Sequence, residues 1–258
     1  MNWPAVIAGM LVVLAGGASG ALVLLRRGKK MCSVEQNFGL STPHLNRIAA
    51  GLGAITGLSM GGIVLYFLAL NSTANVIEWI GRFSYILVAG ATGAHLLVLV
   101  HAFLSLRREE RAFGSKDGPQ VGSLAKLRVE ALLHFRREHK HYTDLKTRDQ
   151  AAVDQYINFL GNPLLHVRRD LSRVPFYGYM GTVCGILLMA QELGQITEAT
   201  ETFRVLSSMA GGLVLAFQTT LVALLAYLPL RKVTDHLIQR VEALEESWHG
   251  LRDHPHGR

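Results

Sequence analysis

The apolar residues of this chain are gathered into five long blocks, and nearly all of its charge lies between them. The core of a globular protein would instead spread its apolar residues in short periodic stripes. A helix of about 20 apolar residues crosses the hydrocarbon core of a bilayer. We therefore predict an all-α, polytopic membrane protein with spans at about residues 3–25, 48–70, 83–106, 174–193 and 207–230.

The positions of the basic residues predict the orientation of these spans. Arg26 and Arg27 follow the first block, Arg107 and Arg108 follow the third, and Arg231 follows the fifth. The connections 71–75 and 194–203 contain no Lys or Arg. Because Lys and Arg are retained on the cytoplasmic side, the N-terminus is predicted outside and the C-terminus inside.

Two other interpretations fit this pattern less well. The first block contains small residues at 17–21 that resemble a signal-peptide cleavage site, but its basic cluster follows the apolar stretch rather than preceding it. The formal net charge of +7 is compatible with nucleic-acid binding. The basic residues stand at the ends of apolar blocks, however, so topology explains them and no nucleic-acid partner is expected.

Motifs for catalysis and cofactors are not found. The sequence has no nucleophile elbow, phosphate-binding loop or paired acidic motif, so we do not expect an enzyme. Cys32 and Cys184 give no disulfide framework. Two groups of histidines are interpreted as solvated rather than metal-binding: His134, His139 and His141, and His249, His254 and His256.

We divide the chain into three regions. Residues 1–80 form an N-terminal membrane region with the first two spans, and residues 81–230 hold the other three spans. Within the latter, the charged segment 107–173 is predicted to be cytoplasmic and to form amphipathic helices, with a break at Gly161-Asn162-Pro163. Residues 231–258 form a C-terminal amphipathic helix and tail.

The C-terminal helix carries a heptad-like apolar seam and is predicted to continue directly from the fifth span. Such a seam needs a partner surface, and a copy of the same chain is the simplest one, which suggests a homo-oligomer. The seam consists of Val233, Leu237, Val241, Leu244 and Trp248.

The fourth and fifth blocks each carry one face of small, weakly polar residues. These faces could line a narrow route for a cation or meet a partner's polar side chain. They could equally serve helix packing, with the threonine hydroxyls bonded to their own helices. The residues are Gly178, Gly181, Thr182 and Gly185 in the fourth block, and Ala216, Thr219 and Thr220 in the fifth.

No Asp, Glu, Lys or Arg lies near the middle of any block, and His95 and His101 lie toward the cytoplasmic half of the third. A proton-conducting protein normally keeps an ionisable group at that depth. If this chain conducts ions, another chain should supply the carboxylate.

Two of these motifs resemble a known family. The run Pro175-x-x-Gly178-x-x-Gly181-Thr182-Val183-x-Gly185-Ile186 is similar to the signature of TolQ and ExbB in their second membrane helix. The small, Thr-containing run at 211–229, with Thr220 nine residues before Pro229, is similar to their third helix. The chain thus resembles the MotA/TolQ/ExbB family of ion-driven membrane motors.

The resemblance implies a homopentamer in a bacterial inner membrane, around a dimeric single-span partner of the MotB/TolR/ExbD kind. The partner's membrane Asp would carry H⁺ or Na⁺, and no other cofactor is implied. Thr182 and Thr220 would face the partner and line the ion route, while Pro175 and Pro229 would shape the ends of their helices.

This sequence departs from the family pattern in three ways, one of which is Cys184 in place of the aromatic residue usual within the Gly-Thr-Val-x-Gly run. Leu215 occupies the position where TolQ and ExbB carry a Glu, which increases dependence on the partner's acid. The first two blocks also give more spans than ExbB or MotA has. The alternative function is a non-conducting, oligomeric membrane scaffold, and the resemblance does not indicate which process a motor would drive.

Overall fold

The computed structural model describes residues 3–40, 42, 44–70, 75–113, 122–138, 142–194 and 202–253. Every regular element within these ranges is helical, which confirms the all-α prediction. The helices are α1 (Trp3–Gln36), α2 (Leu45–Leu65, continued by a π-helical segment Tyr66–Leu70), α3 (Val76–Phe113), α4 (Leu124–Glu138), α5 (Tyr142–Leu171), α6 (Val174–Leu193) and α7 (Thr202–Asp253).

Among the described residues, five helical segments are long and apolar enough to cross a membrane, as predicted. Helix α6 has the predicted bounds, whereas α1 and α3 extend beyond their apolar blocks into charged sequence. Helix α7 is 52 residues long, so the fifth span and the C-terminal helix form one element, as predicted. The connecting residues 71–74 and 195–201 lie outside the described residues.

The predicted break at Gly161-Asn162-Pro163 is wrong, because α5 continues through Pro163. A proline inside a helix removes one hydrogen bond and costs about 3 kcal/mol or more. Burial of one face of α5 offsets this cost, since fully burying an apolar side chain contributes about 1.5–3 kcal/mol. The buried residues of this face are Val153, Leu160, Leu164, Val167 and Leu171.

The chain forms two compact units. The first, called here the apolar unit, contains residues Met1–Arg27, Asn46–Leu97 and Arg169–Arg231. The second, called the charged unit, contains Gly28–Leu45, Val98–Arg168 and Lys232–Arg258.

In the apolar unit, α1 and α2 approach each other through glycines. A methyl group on Gly16 would lie 2.7 Å from the carbonyl oxygen of Gly57, and one on Gly61 would lie 2.9 Å from the Cα atom of Val13. Gly20 and Gly53 are packed just as tightly against each other's backbone. In lipid, where apolar burial does not drive association, such close contacts supply the packing energy between helices.

Helix α3 contacts three other helices of the apolar unit. Gly93 of α3 lies against Thr56 of α2. At the opposite end of the α3 span, a methyl group on Gly81 would lie 3.0 Å from both Cys184 of α6 and Leu215 of α7. Helix α3 therefore contacts α2 on one side and the pair α6–α7 on the other.

The charged unit contains a fully buried ion pair. Arg128 of α4 donates two hydrogen bonds of 2.8 Å to the carboxylate of Asp149 on α5. A third bond of 2.8 Å goes to the carbonyl oxygen of Trp248 on α7. Only 4% of Arg128 and 2% of Asp149 is exposed, so both charges lose their contact with water. The bidentate pair of hydrogen bonds offsets this desolvation cost. Three helices are joined at this point.

A second buried cluster surrounds Glu35 near the end of α1. The Glu35 carboxylate accepts hydrogen bonds from the backbone N–H and hydroxyl of Thr42, at 2.9 and 2.6 Å. His101 Nε2 of α3 lies 3.0 Å from its Oε1 atom, and Ser105 donates to the same oxygen at 3.4 Å. This cluster fixes the end of α1 and the turn after it to α3.

The C-terminal seam already has a partner surface within its own chain. Leu237, Val241, Leu244 and Trp248 are each exposed by 5% or less, although Val233 is 48% exposed. Trp248 makes an edge-to-face contact with Tyr156 of α5, and Val241 lies over Gly161. This overturns the reason for assigning the seam to a contact between copies. The expectation of a homo-oligomer then depends on the family resemblance.

We predict that Gly57→Ala lowers the free energy of unfolding by about 1–3 kcal/mol, because the added methyl would overlap the backbone of Gly16. The matched control is Gly51→Ala on the same helix, where a methyl group meets nothing within 4 Å. The control should be neutral or gain up to about 1 kcal/mol of helix propensity. Equilibrium unfolding in mixed micelles measures both, and equal stabilities would contradict the close packing.

Candidate functional site

Helices α6 and α7 are held together by the small residues that the sequence singled out. A methyl group on Gly178 would lie 2.7 Å from Cβ of Ala223, and one on Gly185 would lie 2.9 Å from Cβ of Ala216. Gly181 lies directly against Thr219. The two predicted faces therefore pack on each other. This contact confirms helix packing as one role of these residues.

The three threonines at this contact differ in their hydrogen bonds. Thr219 is 1% exposed, and its hydroxyl lies 2.9 Å from the carbonyl oxygen of Leu215 on its own helix. Thr182 and Thr220 bond across the interface, with their Oγ1 atoms 2.5 Å apart. The Thr182 hydroxyl also lies 3.1 Å from the carbonyl oxygen of Ala216 and 3.3 Å from that of Gly178, and either threonine can be the donor between the two hydroxyls.

The Thr182–Thr220 pair lies at one edge of the interface. Both residues are half-buried, whereas the glycines and Thr219 beside them are buried. On α6, the face next to Thr182 is exposed at Tyr179 and Ile186, by 54% and 53%. On α7, Phe217 is 68% exposed. We call this hydroxyl-bearing border the threonine edge.

The opposite side of the pair α6–α7 is covered by α3. Cys184 and Leu215 contact α3 near Gly81, and helical spacing places both about half a turn away from the threonines. The threonine edge is thus the side of α6–α7 that α3 does not cover. A helix that brings a polar group to Thr182 and Thr220 would approach from this side.

Leu215 contributes no charge to this region. Its side chain packs against α3. The resemblance to TolQ and ExbB places a Glu at this position in those proteins. Just before the apolar block of α3, Glu78 and Arg82 form an ion pair in the first turns of the helix. Arg82 is 3% exposed and lies over the ring of Phe67. The spacing of four residues between Glu78 and Arg82 was the sequence signal for this pair.

The two prolines occupy different positions in their helices. Pro175 lies in the first turn of α6, where its missing N–H costs nothing. Pro229 lies inside α7 and ends no helix, although the resemblance implied that it shapes a helix end. It leaves the carbonyl of Leu225 without the usual backbone donor.

Sequence reasoning missed several polar residues that the fold brings together. Glu35 and His101 are separated by 66 residues, and no local pattern links them. Arg128 and Asp149 are likewise joined only by tertiary structure. Gln218 stands among apolar residues of α7, and that contrast was a usable signal. Within the described residues no cluster of metal-binding side chains occurs, and His139, His141, His254 and His256 lie outside them.

Comparison with family models decides the assignment of this region. Residues 146–249 match the model of the MotA/TolQ/ExbB proton channel family. This region of the chain is MotA/TolQ/ExbB-like. The match covers most of α5, all of α6 and most of α7, and thus includes the threonine edge. Comparison with curated proteins and with solved structures finds no match.

The match indicates a coarse function for this region. Proteins of this family have a proton-channel, stator-type role and work in complexes with partner subunits. The apolar helices of the described residues fit a multi-pass membrane protein. The first 145 residues, which include α1 to α4, lie outside the matched region.

We predict that Thr182→Val and Thr220→Val each lower the free energy of unfolding by about 0.5–2 kcal/mol, because either change breaks the hydroxyl pair. The double variant should lose less than the sum of the two, since the bond can be broken only once. Thr92→Val, which removes a hydroxyl bonded only to its own helix at Val88, is the matched control. Strictly additive losses would show that the threonines do not interact.

Proposed function

We propose that this protein is the channel-forming subunit of an ion-driven motor in a bacterial inner membrane. In this proposal, copies of the chain assemble as a pentamer around a dimer of single-span partner chains. Each partner helix would bring an Asp into the bilayer, and that carboxylate would carry the proton or sodium ion. The termini would be oriented with the N-terminus outside and the C-terminus in the cytoplasm.

The threonine edge is the observation that carries this proposal. It combines a pair of hydroxyls with neighbouring side chains of α6 and α7 that are more than half exposed. Hydroxyl groups can donate to a carboxylate or accept from a protonated one, so the pair suits a passing acid in either state. Because Leu215 occupies the position at which TolQ and ExbB carry a Glu, this chain depends on an acid from elsewhere.

The residues at and beside the threonine edge would have different roles. Thr182 and Thr220 would exchange their mutual bond for bonds to the partner's acid as it passes. Gly178, Gly181, Gly185 and Ala216 would hold α6 and α7 close enough for the hydroxyls to act together. Thr219 bonds its own helix and supports this packing without reaching the partner.

A non-conducting scaffold is the second candidate function, and one observation favours it. All of the small residues of α6 and α7 named above are already used in contacts within the chain. A scaffold needs only those contacts and an outer face for assembly. The two functions differ in whether ions cross the membrane through the complex.

The test is proton or sodium flux into vesicles that contain the chain together with its single-span partner. We predict that the double variant Thr182→Ala, Thr220→Ala abolishes flux while the complex still co-purifies, because the hydroxyls serve the ion rather than the assembly. Thr92→Ala should retain native flux, since its hydroxyl bonds only its own helix. Full flux in the double variant would refute the role of the edge, and no flux in the native complex would favour the scaffold.

A further inference from the structure

A groove in the apolar unit contains polar groups that the proposed function does not use. It has a volume of about 580 Å³ and is lined by α2, α3 and α7. Its polar wall consists of Ser59, Tyr66, Tyr85 and Gln218, with Gly62 and Leu221 beside them. A methyl group on Gly62 would meet nothing within 4 Å, so another helix can approach closely here.

Gln218 is the unusual residue of this groove. It is exposed, and it lies next to Thr219 within the membrane span of α7. Its Oε1 atom accepts a long hydrogen bond of 3.4 Å from the Tyr85 hydroxyl. No described residue accepts a hydrogen bond from its amide N–H groups. In a bilayer, lipid chains cannot satisfy these donors, so a polar group from another helix is expected to meet them.

A matching group lies on the exposed face of α6. Phe176, Tyr179, Val183 and Ile186 form this face, and each is more than half exposed. Tyr179 carries a hydroxyl in the middle of an otherwise apolar surface. The contact between Gly181 and Thr219 sets the relative height of the two helices. Because α6 and α7 are antiparallel, Tyr179 and Gln218 then differ in depth by roughly 4.5 Å, three residues along a helix, a distance that the two long side chains can span.

Rotational symmetry determines whether Tyr179 of one copy can reach Gln218 of another. In a ring whose axis is normal to the membrane, each group has the same depth in every copy. The exposed face of α6 and the groove beside α7 consist of different residues, as a head-to-tail contact requires. The threonine edge lies between the exposed faces of α6 and α7, so such a ring would turn that edge toward its centre.

We propose that the groove is the docking site for a second copy of this chain, with Tyr179 of that copy bonded to Gln218. The proposal deepens the motor function and rests on it, because it names the surfaces through which the copies meet. The amide N–H of Gln218 would donate to the Tyr179 hydroxyl oxygen, and the apolar residues of the α6 face would fill the groove around it.

Photo-crosslinking of the full chain in its membrane tests the contact directly. Gln218→benzoylphenylalanine is placed in one tagged copy, and a second copy carries a different tag. We expect capture of the differently tagged copy, with the crosslink mapped by mass spectrometry to residues 176–186. The control, Leu11→benzoylphenylalanine on the exposed face of α1, should not capture α6. Capture of lipid alone, or of a different protein, would overturn the proposal.

A double-mutant cycle tests the hydrogen bond itself. Gln218→Leu and Tyr179→Phe should each raise the dissociation constant between copies about three- to fifteenfold, as expected for one hydrogen bond between membrane helices. The double variant should be no weaker than either single variant. Unchanged dissociation in Gln218→Leu would overturn the proposal.

If copies assemble and conduct ions without the crosslink from residue 218 to α6, only the docking surface is wrong. A monomer that conducts no ions would refute the motor function as well.

Discussion

Helices α6 and α7 pack closely on each other, and the candidate site is built on that contact. Glycine at 178, 181 and 185 lets the backbones approach until Thr182 and Thr220 share a hydrogen bond across the interface. A larger residue at any of these positions would separate the helices and the hydroxyls together. Packing and chemistry therefore use the same residues, and the alternatives of a packing face and a functional face are not exclusive.

The apolar blocks were enough to predict the spans, because length and hydrophobicity alone determine whether a helix suits a bilayer. The bounds of α6 and the continuity of α7 followed from the same reasoning. Where charged sequence followed a block, as after Leu25 and Leu106, hydropathy could not show that the helix continues. Pro163 misled the prediction for α5, because its effect on a helix depends on tertiary packing that sequence does not show.

The candidate site was predicted as a set of residues but not as an arrangement. Helical spacing placed Thr182, Thr219 and Thr220 on small faces, yet it could not distinguish the buried Thr219 from the two half-buried threonines. The seam of α7 shows the same limit. Its heptad spacing marked an apolar surface correctly, but only the fold showed that α4 and α5 of the same chain cover most of it. No sequence pattern indicated the contact between Glu35 and His101.

In the proposed motor, this chain conducts ions only together with another chain's acid. Proton and sodium flux into energised vesicles measures this dependence, when the vesicles contain the native chain with or without a single-span partner carrying a membrane Asp. We expect flux with that partner, and none with the chain alone or with a partner whose Asp is changed to Asn. Flux through the chain alone would contradict it.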